Sequence, residues 1–179
     1  MSHANLWAPW RMAYLKAMTN DSSDPAESRG TDTNFFRQYW LNPDADETNL
    51  VVWRNDSGLV LLNRYPYANG HLLVALGEPA PTLFDYNQEQ RTAFWSLVES
   101  ACRLVRHSLN PQGLNIGLNE GAAAGAGVPE HLHAHVVPRW GGDTNFITVT
   151  GNVRVSPDAL ESIAAAYRES IQQGALEAD

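Results

Sequence analysis

Apolar residues alternate with polar ones, or form short apolar runs, in several parts of the chain, a pattern that predicts β-strands. Segments 49–54 and 58–63 flank the turn sequence NDSG, so we expect them to pair as a β-hairpin. Pairing by hairpins favours an antiparallel sheet. Three further strands are predicted at HLLVAL (71–76), GLNIGLN (113–119) and HLHAHVV (131–137), and NFITVT (145–150) is compatible with one more.

A helical period replaces the strand pattern in residues 87–106. The apolar positions there form one stripe at helical spacing: Phe94, Leu97, Val98, Ala101 and Val105. Shorter helices are predicted at 34–41 and 156–173, the latter opened by Ser156 as N-cap with Pro157 at the first helical position.

Residues 1–179 are expected to form a single domain with an α+β fold, because hairpins and one long intervening helix favour a mostly antiparallel sheet covered by helices. Residues 6–15 are apolar and predict a short helix or arm. Residues 19–33 are polar with Gly and Pro, which predicts a mobile loop.

Composition restricts the partners of the protein. The formal net charge is −8 and Lys16 is the single lysine, which excludes duplex nucleic acid as an expected partner. No apolar run approaches the roughly 18 residues of a membrane span, and the first residues do not resemble a signal peptide. Cys102 is the single cysteine, so no internal disulfide is expected and a cytoplasmic location fits.

Three of the six histidines occur within five residues, at 131, 133 and 135. Successive side chains of a strand point to opposite faces, so these three imidazoles are predicted to share one face. Leu132, Ala134 and Val136 would then pack against the core on the other face. Pro138 lacks a backbone donor and is expected to end the strand pairing.

Three interpretations of this histidine face remain open on spacing alone. The rings could be solvent-facing polar residues of an exposed strand. They could instead bind a metal ion, since imidazole is a common zinc ligand, although no Cys pair or His-Glu-x-x-His motif accompanies them. In the third interpretation a neutral imidazole acts as a nucleophile at pH 7, with neighbours about 7 Å away along the strand to orient it.

The loop GAAAGAG, residues 121–127, directly precedes the histidine strand. Its glycines lie at 121, 125 and 127 with alanine between them, so backbone can approach a ligand closely and direct N–H groups at an anion. Such loops are often simple connections, but this position favours a phosphate-binding role.

The segment HLHAHVV resembles the His-φ-His-φ-His-φ-φ signature of the histidine triad (HIT) superfamily of nucleotide hydrolases and transferases. LLNRYPYANGHLLV and GLNEG resemble other family segments in the expected order, so the likeness runs from about 49 to 140. LWAPWRMAYL and VVPRWGGDTNFI resemble bacterial diadenosine polyphosphate phosphorylases, also called ATP adenylyltransferases.

The resemblance implies a HIT-like five-stranded antiparallel sheet, extended across a homodimer, and a nucleotide or dinucleoside polyphosphate as substrate. It implies attack at an α-phosphorus through a covalent nucleotidyl-histidine. It implies no tightly bound cofactor, with Mg²⁺ accompanying a polyphosphate substrate. The implied residues are His133 as nucleophile, His131, His135 and His71 as its catalytic partners, Asn63 at the ribose, and Asn119, Gly125 and Gly127 at phosphate.

Two departures from the family pattern qualify this expectation. Many bacterial relatives bind structural zinc through Cys-x-x-Cys, but the corresponding stretch here is NFFRQYW, so no metal site is predicted. Active relatives often carry Ser or Gln near Gly127, where this chain offers only backbone. A nucleotide-binding protein with little turnover and a metal-dependent hydrolase therefore remain alternatives. For the nucleophile, an acid-side fall in rate near the ordinary pKa of histidine is expected.

Overall fold

The computed structural model describes residues 34–143 and 158–176, which belong to one compact unit. These residues form an α+β fold with a five-stranded antiparallel sheet. The strands are β1 (Val51–Arg54), β2 (Gly58–Leu62), β3 (Leu72–Leu76), β4 (Gly113–Leu118) and β5 (His133–Arg139). The α-helices in this part of the chain are α1 (Phe35–Leu41), α2 (Gln88–Leu109) and α3 (Leu160–Gln172).

The strand order is β1-β2-β3-β5-β4, and every neighbouring pair is antiparallel. The predicted hairpin of β1 and β2 is confirmed, with Asn55 accepting hydrogen bonds from the N–H groups of Ser57 and Gly58 in its turn. The order places the histidine strand β5 between β3 and β4, near the middle of the sheet.

Helices α2 and α3 cover one face of the sheet. Helix α2 begins with a capping box between Asn87 and Gln90, and it ends at Asn110 in the left-handed conformation. These ends confirm the predicted long helix and extend it by three residues beyond 106. Its stripe packs with α3 and the strands into the main core, which includes Leu97, Ala101, Tyr167, Val74, Leu132, Ala134 and Val136.

A smaller core lies on the opposite face of the sheet. It contains Phe36 of α1, Leu61 of β2, Leu73 and Ala75 of β3, and Val128 of the loop before β5. Side chains on this face surround a cavity, whereas the helix-covered face is filled by the main core. The functional site is therefore expected on the α1 side.

Strand β5 differs from its predicted range. It begins at His133 rather than at 131 and extends to Arg139. The expectation that Pro138 ends the pairing is wrong, because Pro138 pairs with Leu114 of β4. Pairing with β3 ends at Val136, so Pro138 has a neighbouring strand on one side only, where its missing N–H is tolerated.

The third helix also starts later than predicted. Its N-cap is Ala159, which forms no side-chain cap, and its first residue is Leu160. Ser156 and Pro157 lie outside the described residues, as do the predictions for 6–15, 19–33 and 145–150. The single domain spanning 1–179 stays a prediction. Among the described residues, no helix has the length and hydropathy needed to cross a membrane.

Candidate active site

A cavity of about 330 Å³ opens on the α1 side of the sheet. Helix α1 forms one wall through Phe35 and Tyr39, which are one helical turn apart and whose ring centroids are 5.4 Å apart. The remaining lining comes from the turn before β1, from β2, β3, the turn after β2, the glycine loop and β5. It includes Asn49, Leu61, Asn63, Arg64, Tyr67, Leu73, Gly125, Gly127, His133 and His135. Two of the three triad histidines thus face this cavity.

The tautomer of His133 is fixed by a backbone carbonyl. Its Nδ1 lies 2.9 Å from the carbonyl oxygen of His131. A carbonyl can only accept, so the neutral ring holds its proton on Nδ1 and keeps a lone pair on Nε2. The side chain is 4% exposed. Burial, partly offset by this hydrogen bond, lowers the pKa of His133, so the ring is neutral at pH 7 and its Nε2 can act as a nucleophile.

His71 and His135 form a second hydrogen-bonded pair. The backbone N–H of Tyr67 donates to His71 Nδ1 at 3.1 Å, which places the proton of a neutral His71 on Nε2. That nitrogen lies 3.0 Å from His135 Nδ1, which must therefore accept. The proton of His135 consequently lies on Nε2, from where it can be donated to a phosphate oxygen.

The ring of Tyr67 covers this pair. Its centroid is 5.6 Å from that of His135 in a stacked arrangement and 4.6 Å from that of His71. His71 is fully buried, and His135 is half-buried. Desolvation, with a smaller contribution from His133, lowers the pKa of His135 to about 4. The ring therefore stays neutral near pH 7 and donates a single N–H.

His131 lies behind His133 and not on the cavity wall. It is 0% exposed, with Nε2 at 2.8 Å from the carbonyl oxygen of Leu76 and Nδ1 at 2.9 Å from Asn34 Oδ1. The ring of Phe36 lies 5.3 Å from His131 and 4.7 Å from His133, centroid to centroid. The three histidines share one face as predicted, but only His133 and His135 can meet a ligand directly.

The amides predicted for ribose and phosphate lie beside the histidines. Asn63 lines the cavity, its Nδ2 is 3.2 Å from His71 Nδ1, and its Oδ1 accepts from the N–H of Tyr65. Asn119 Nδ2 is 3.5 Å from His135 Nε2, a long contact. Both side chains therefore border the pair formed by His71 and His135.

The glycine loop presents a mixed set of backbone donors. Gly125 has a φ of +91°, which disfavours any side chain, and its N–H is used by the carbonyl of Ala122. The N–H of Ala126 is likewise used by Gly121. Gly127 also lines the cavity, and its N–H has no hydrogen-bond partner among the residues described here. Of Gly125 and Gly127, only Gly127 therefore has a backbone N–H available to bind a phosphate among the described contacts.

Several residues of the site escaped the sequence interpretation. They contact the histidines or line the cavity, and they are Asn34, Phe36 and Tyr39 of the α1 segment and Tyr67. The aromatic content of NFFRQYW and RYPY was visible, but helix-capping asparagines and tyrosines in turns are common. Their partners lie far away in sequence, and local patterns do not indicate them.

In the stretch NFFRQYW, expected to correspond to the zinc-binding motif of relatives, polar side chains contact other protein groups. Asn34 contacts His131, while Arg37 donates to Glu78 Oε1 at 2.7 Å and to the carbonyl of Gly77 at 2.8 Å. A guanidinium cannot bind a cation, so these residues do not fit zinc. Within 34–143 and 158–176, no group of three or more His, Cys, Asp or Glu is arranged to hold a metal ion.

Comparison with known proteins identifies the class to which this fold and site belong. The family model described as the HIT domain matches residues 45–142. An AP-4-A phosphorylase from Mycobacterium tuberculosis is 40% identical over 160 residues, covering 87% of this chain and 77% of that protein. The chain belongs to the HIT domain family.

Solved structures share the fold. A HIT-like protein from Bartonella henselae, described as involved in cell-cycle regulation, superposes with a TM-score of 0.62 at 23% identity, covering 79% of this chain and 99% of that one. A zinc-bound histidine triad family protein from Mycobacterium smegmatis gives a TM-score of 0.61 at 27% identity, with 76% and 93% covered. The predicted α+β, HIT-like fold is thereby confirmed.

Proposed function

We propose that the protein cleaves dinucleoside polyphosphates of the diadenosine tetraphosphate type, through a covalent nucleotidyl intermediate on His133. The observation that carries the proposal is the hydrogen bond from His133 Nδ1 to the His131 carbonyl, which leaves the Nε2 lone pair as the reactive one. The similarity to an AP-4-A phosphorylase supports the substrate class.

In the first step, His133 Nε2 attacks the α-phosphorus and forms a nitrogen–phosphorus bond. The bond between that phosphorus and the bridging oxygen breaks, and its electron pair leaves with the second nucleotide. His135 Nε2–H and the N–H of Gly127 donate to the non-bridging oxygens, whose charge grows in the transition state. His71 keeps His135 in the donating tautomer, and His131 supports His133 from behind.

In the second step, an acceptor attacks the same phosphorus and releases the histidine. Water as acceptor yields a nucleoside monophosphate, whereas inorganic phosphate yields a nucleoside diphosphate. No tightly bound cofactor is required for either step, and Mg²⁺ enters with the polyphosphate as its counterion. Asn63 Oδ1 keeps a second lone pair beside its bond to Tyr65, which suits it to accept from a ribose hydroxyl.

We also propose a homodimer in which β4 continues the sheet into a second copy. The β1 edge is interrupted by a bulge, and Arg168 donates to the carbonyl of Val51 there. The β4 edge has a regular register and contains no Lys or Pro, and Ile116 at its centre is 50% exposed. Among the described residues no strand pairs with this edge, and an apolar edge of this kind favours pairing with another strand. A cytoplasmic location agrees with the single cysteine and with a nucleotide substrate.

Intact-mass measurement tests the chemistry directly. Brief incubation with diadenosine tetraphosphate and acid quenching should show the enzyme with one added AMP. His133→Ala should lose the adduct and at least about 10³-fold of kcat, while the Kd for substrate changes little. An unmodified wild-type enzyme that turns over, or equal losses of turnover and affinity in the variant, would refute the nucleophile role. Bound substrate without turnover would instead favour a nucleotide-binding protein.

Product analysis with and without inorganic phosphate separates the acceptors. ADP plus ATP would indicate phosphorolysis, and AMP plus ATP would indicate hydrolysis. Because Gly127 supplies no side-chain donor, the acceptor site depends on backbone and histidine groups. The product ratio at saturating phosphate therefore defines which reaction this loop supports.

A further inference from the structure

Helix α1 lies outside the segment matched by the HIT family model, residues 45–142, and yet it contacts two of the triad histidines. We propose that Asn34, which caps α1, is a positioning residue that orients the nucleophile His133 through His131. The proposal rests on the function proposed above, in which His133 attacks phosphorus. It adds to the active site a residue that does not touch the substrate.

The amide of Asn34 has a defined orientation. Its Oδ1 accepts from the backbone N–H of Arg37 at 3.1 Å, the capping bond of α1. A backbone N–H can only donate, so the atom facing His131 Nδ1 at 2.9 Å is an acceptor. The same oxygen therefore caps the helix and presents an acceptor to His131 Nδ1.

The other ring nitrogen of His131 faces a second acceptor, the carbonyl of Leu76 at 2.8 Å. The ring is 0% exposed, so solvent water does not replace either partner. A neutral imidazole has a single N–H, so His131 donates to one of these two oxygens at a time, and both contacts together limit the orientations of the ring. Loss of the Asn34 oxygen leaves the Leu76 carbonyl as the remaining partner and lets the ring turn and the residue shift.

The position of His131 passes to His133 by two contacts, one from its backbone and one from its ring through Phe36. The carbonyl of His131 accepts from His133 Nδ1 at 2.9 Å and thereby selects the nucleophilic tautomer. The ring of Phe36, two residues after Asn34, packs against both imidazoles. A displaced His131 therefore disturbs both the proton on His133 and the direction of its Nε2.

Helix α1 is itself fastened to the end of β3, the strand that supplies the Leu76 carbonyl. Arg37 bonds to Gly77 and Glu78, and Trp40 packs so closely on Gly77 that an added Cβ would lie 2.2 Å from its ring. The two acceptors on His131 thus come from elements held rigidly against each other. This geometry is suited to fixing a catalytic ring rather than merely burying one.

Substitutions at Asn34 can separate the capping role from the positioning role. Asn34→Ser keeps a good N-cap but shortens the side chain, so the bond to His131 is lost. Asn34→Asp keeps both the cap and an acceptor at similar reach. Asn87→Ser is the matched control, because Asn87 caps α2 through Oδ1 at 2.9 Å from the Gln90 N–H on an exposed surface.

We expect Asn34→Ser to lower kcat by about 10- to 100-fold while KM changes less than about threefold, since a misdirected nucleophile costs rate and not binding. Asn34→Asp should recover most of that loss. Asn87→Ser should match the wild type in kcat. Equal kcat for Asn34→Ser and wild type, or no recovery with Asp, would overturn the proposal.

A substrate-free measurement keeps this test separate from the proposed function. Nitrogen-15 shifts of the imidazoles report which ring nitrogen of His133 holds the proton. We expect a single Nδ1–H tautomer in the wild type and in Asn87→Ser, and a mixture in Asn34→Ser. Unchanged shifts in Asn34→Ser would overturn the positioning role, whereas changed shifts without turnover in any protein would refute only the proposed function.

Discussion

The tautomers of His133 and His71 are set by the backbone atom that faces Nδ1 of each ring. For His133 that atom is a carbonyl oxygen, and for His71 it is a backbone N–H, so the two neutral rings hold their protons on opposite nitrogens. His133 therefore presents the lone pair of its Nε2 to the cavity, whereas His71 donates its Nε2–H to His135. In the proposed function, these opposite tautomers supply a nucleophile and a phosphate donor without a charged side chain.

The pH dependence of the rate follows from the burial of these rings. Burial lowers the pKa of His133 below its ordinary value of 6.5, so the neutral form persists to lower pH than in an exposed histidine. We expect kcat/KM to be level from about pH 8 to 6.5 and to fall below that range. This revises the expectation of a fall near the ordinary pKa.

Measuring kcat/KM from pH 4 to 9 checks the revised expectation. The dependence on solvent viscosity should be measured in parallel, because an insensitive rate shows that chemistry is being followed. An acid limb centred above pH 6.5 would contradict the lowered pKa of His133. A rate that stays level down to the pH at which the protein unfolds would contradict a neutral imidazole as the nucleophile.

Tyr67 should control the pKa of His135. Removing the stacked ring in Tyr67→Ala hydrates His135, so its pKa should rise from about 4 toward 6.5. Tyr65→Ala is the matched control, because Tyr65 is 83% exposed and has no ring contact with the histidines. NMR titration measures the pKa of His135 in both variants. An equal pKa shift in Tyr67→Ala and Tyr65→Ala would argue against shielding by Tyr67.

At the residue scale, the sequence predicts which side chains share a face but not what their polar atoms contact. The alternation in HLHAHVV correctly predicts that His133 and His135 share one face, and in the structure both line the cavity. It also suggests an equivalent place for His131, which the structure buries against Asn34, 97 positions away. Contacts at that separation depend on how α1 packs, and no local periodicity encodes this packing.

Among the elements, the glycine loop combines two glycines with different requirements. Gly125 has a φ of +91°, whereas a Cβ on Gly127 would meet nothing within 4 Å. We expect Gly125→Ala to lower the free energy of unfolding by about 1–2 kcal/mol and Gly127→Ala by less than about 0.5 kcal/mol. Urea unfolding of both variants measures the difference, and equal effects would mean that the loop relaxes around either residue.

Strand and helix positions follow from the sequence more closely than their ends do. The helix α2 and the hairpin of β1 and β2 are predicted from local patterns of apolar residues, and both are confirmed. The end of β5 depends instead on where its neighbours stop, because Pro138 is tolerated only beyond the last pair with β3. The start of α3 at Leu160 lacks a side-chain cap altogether, so capping rules cannot locate it.

For the whole molecule, the two edges of the sheet differ in how they resist association. The β1 edge carries a bulge and the Arg168 contact, while the β4 edge is regular and exposes Ile116. A regular strand edge with an exposed isoleucine supports association through β4.

A charge at the centre of β4 should therefore separate the copies. Ile116→Lys places an ammonium where the proposed partner strand would pack, and we expect the mass in solution to fall from two chains to one. The unfolding midpoint of the monomer should change little, since Ile116 is already half exposed within one chain. Leu41→Lys, at a residue 65% exposed on α1, is the matched control and should stay dimeric. Light scattering at several concentrations measures both variants, and a wild type that is monomeric throughout would remove the case for pairing at β4.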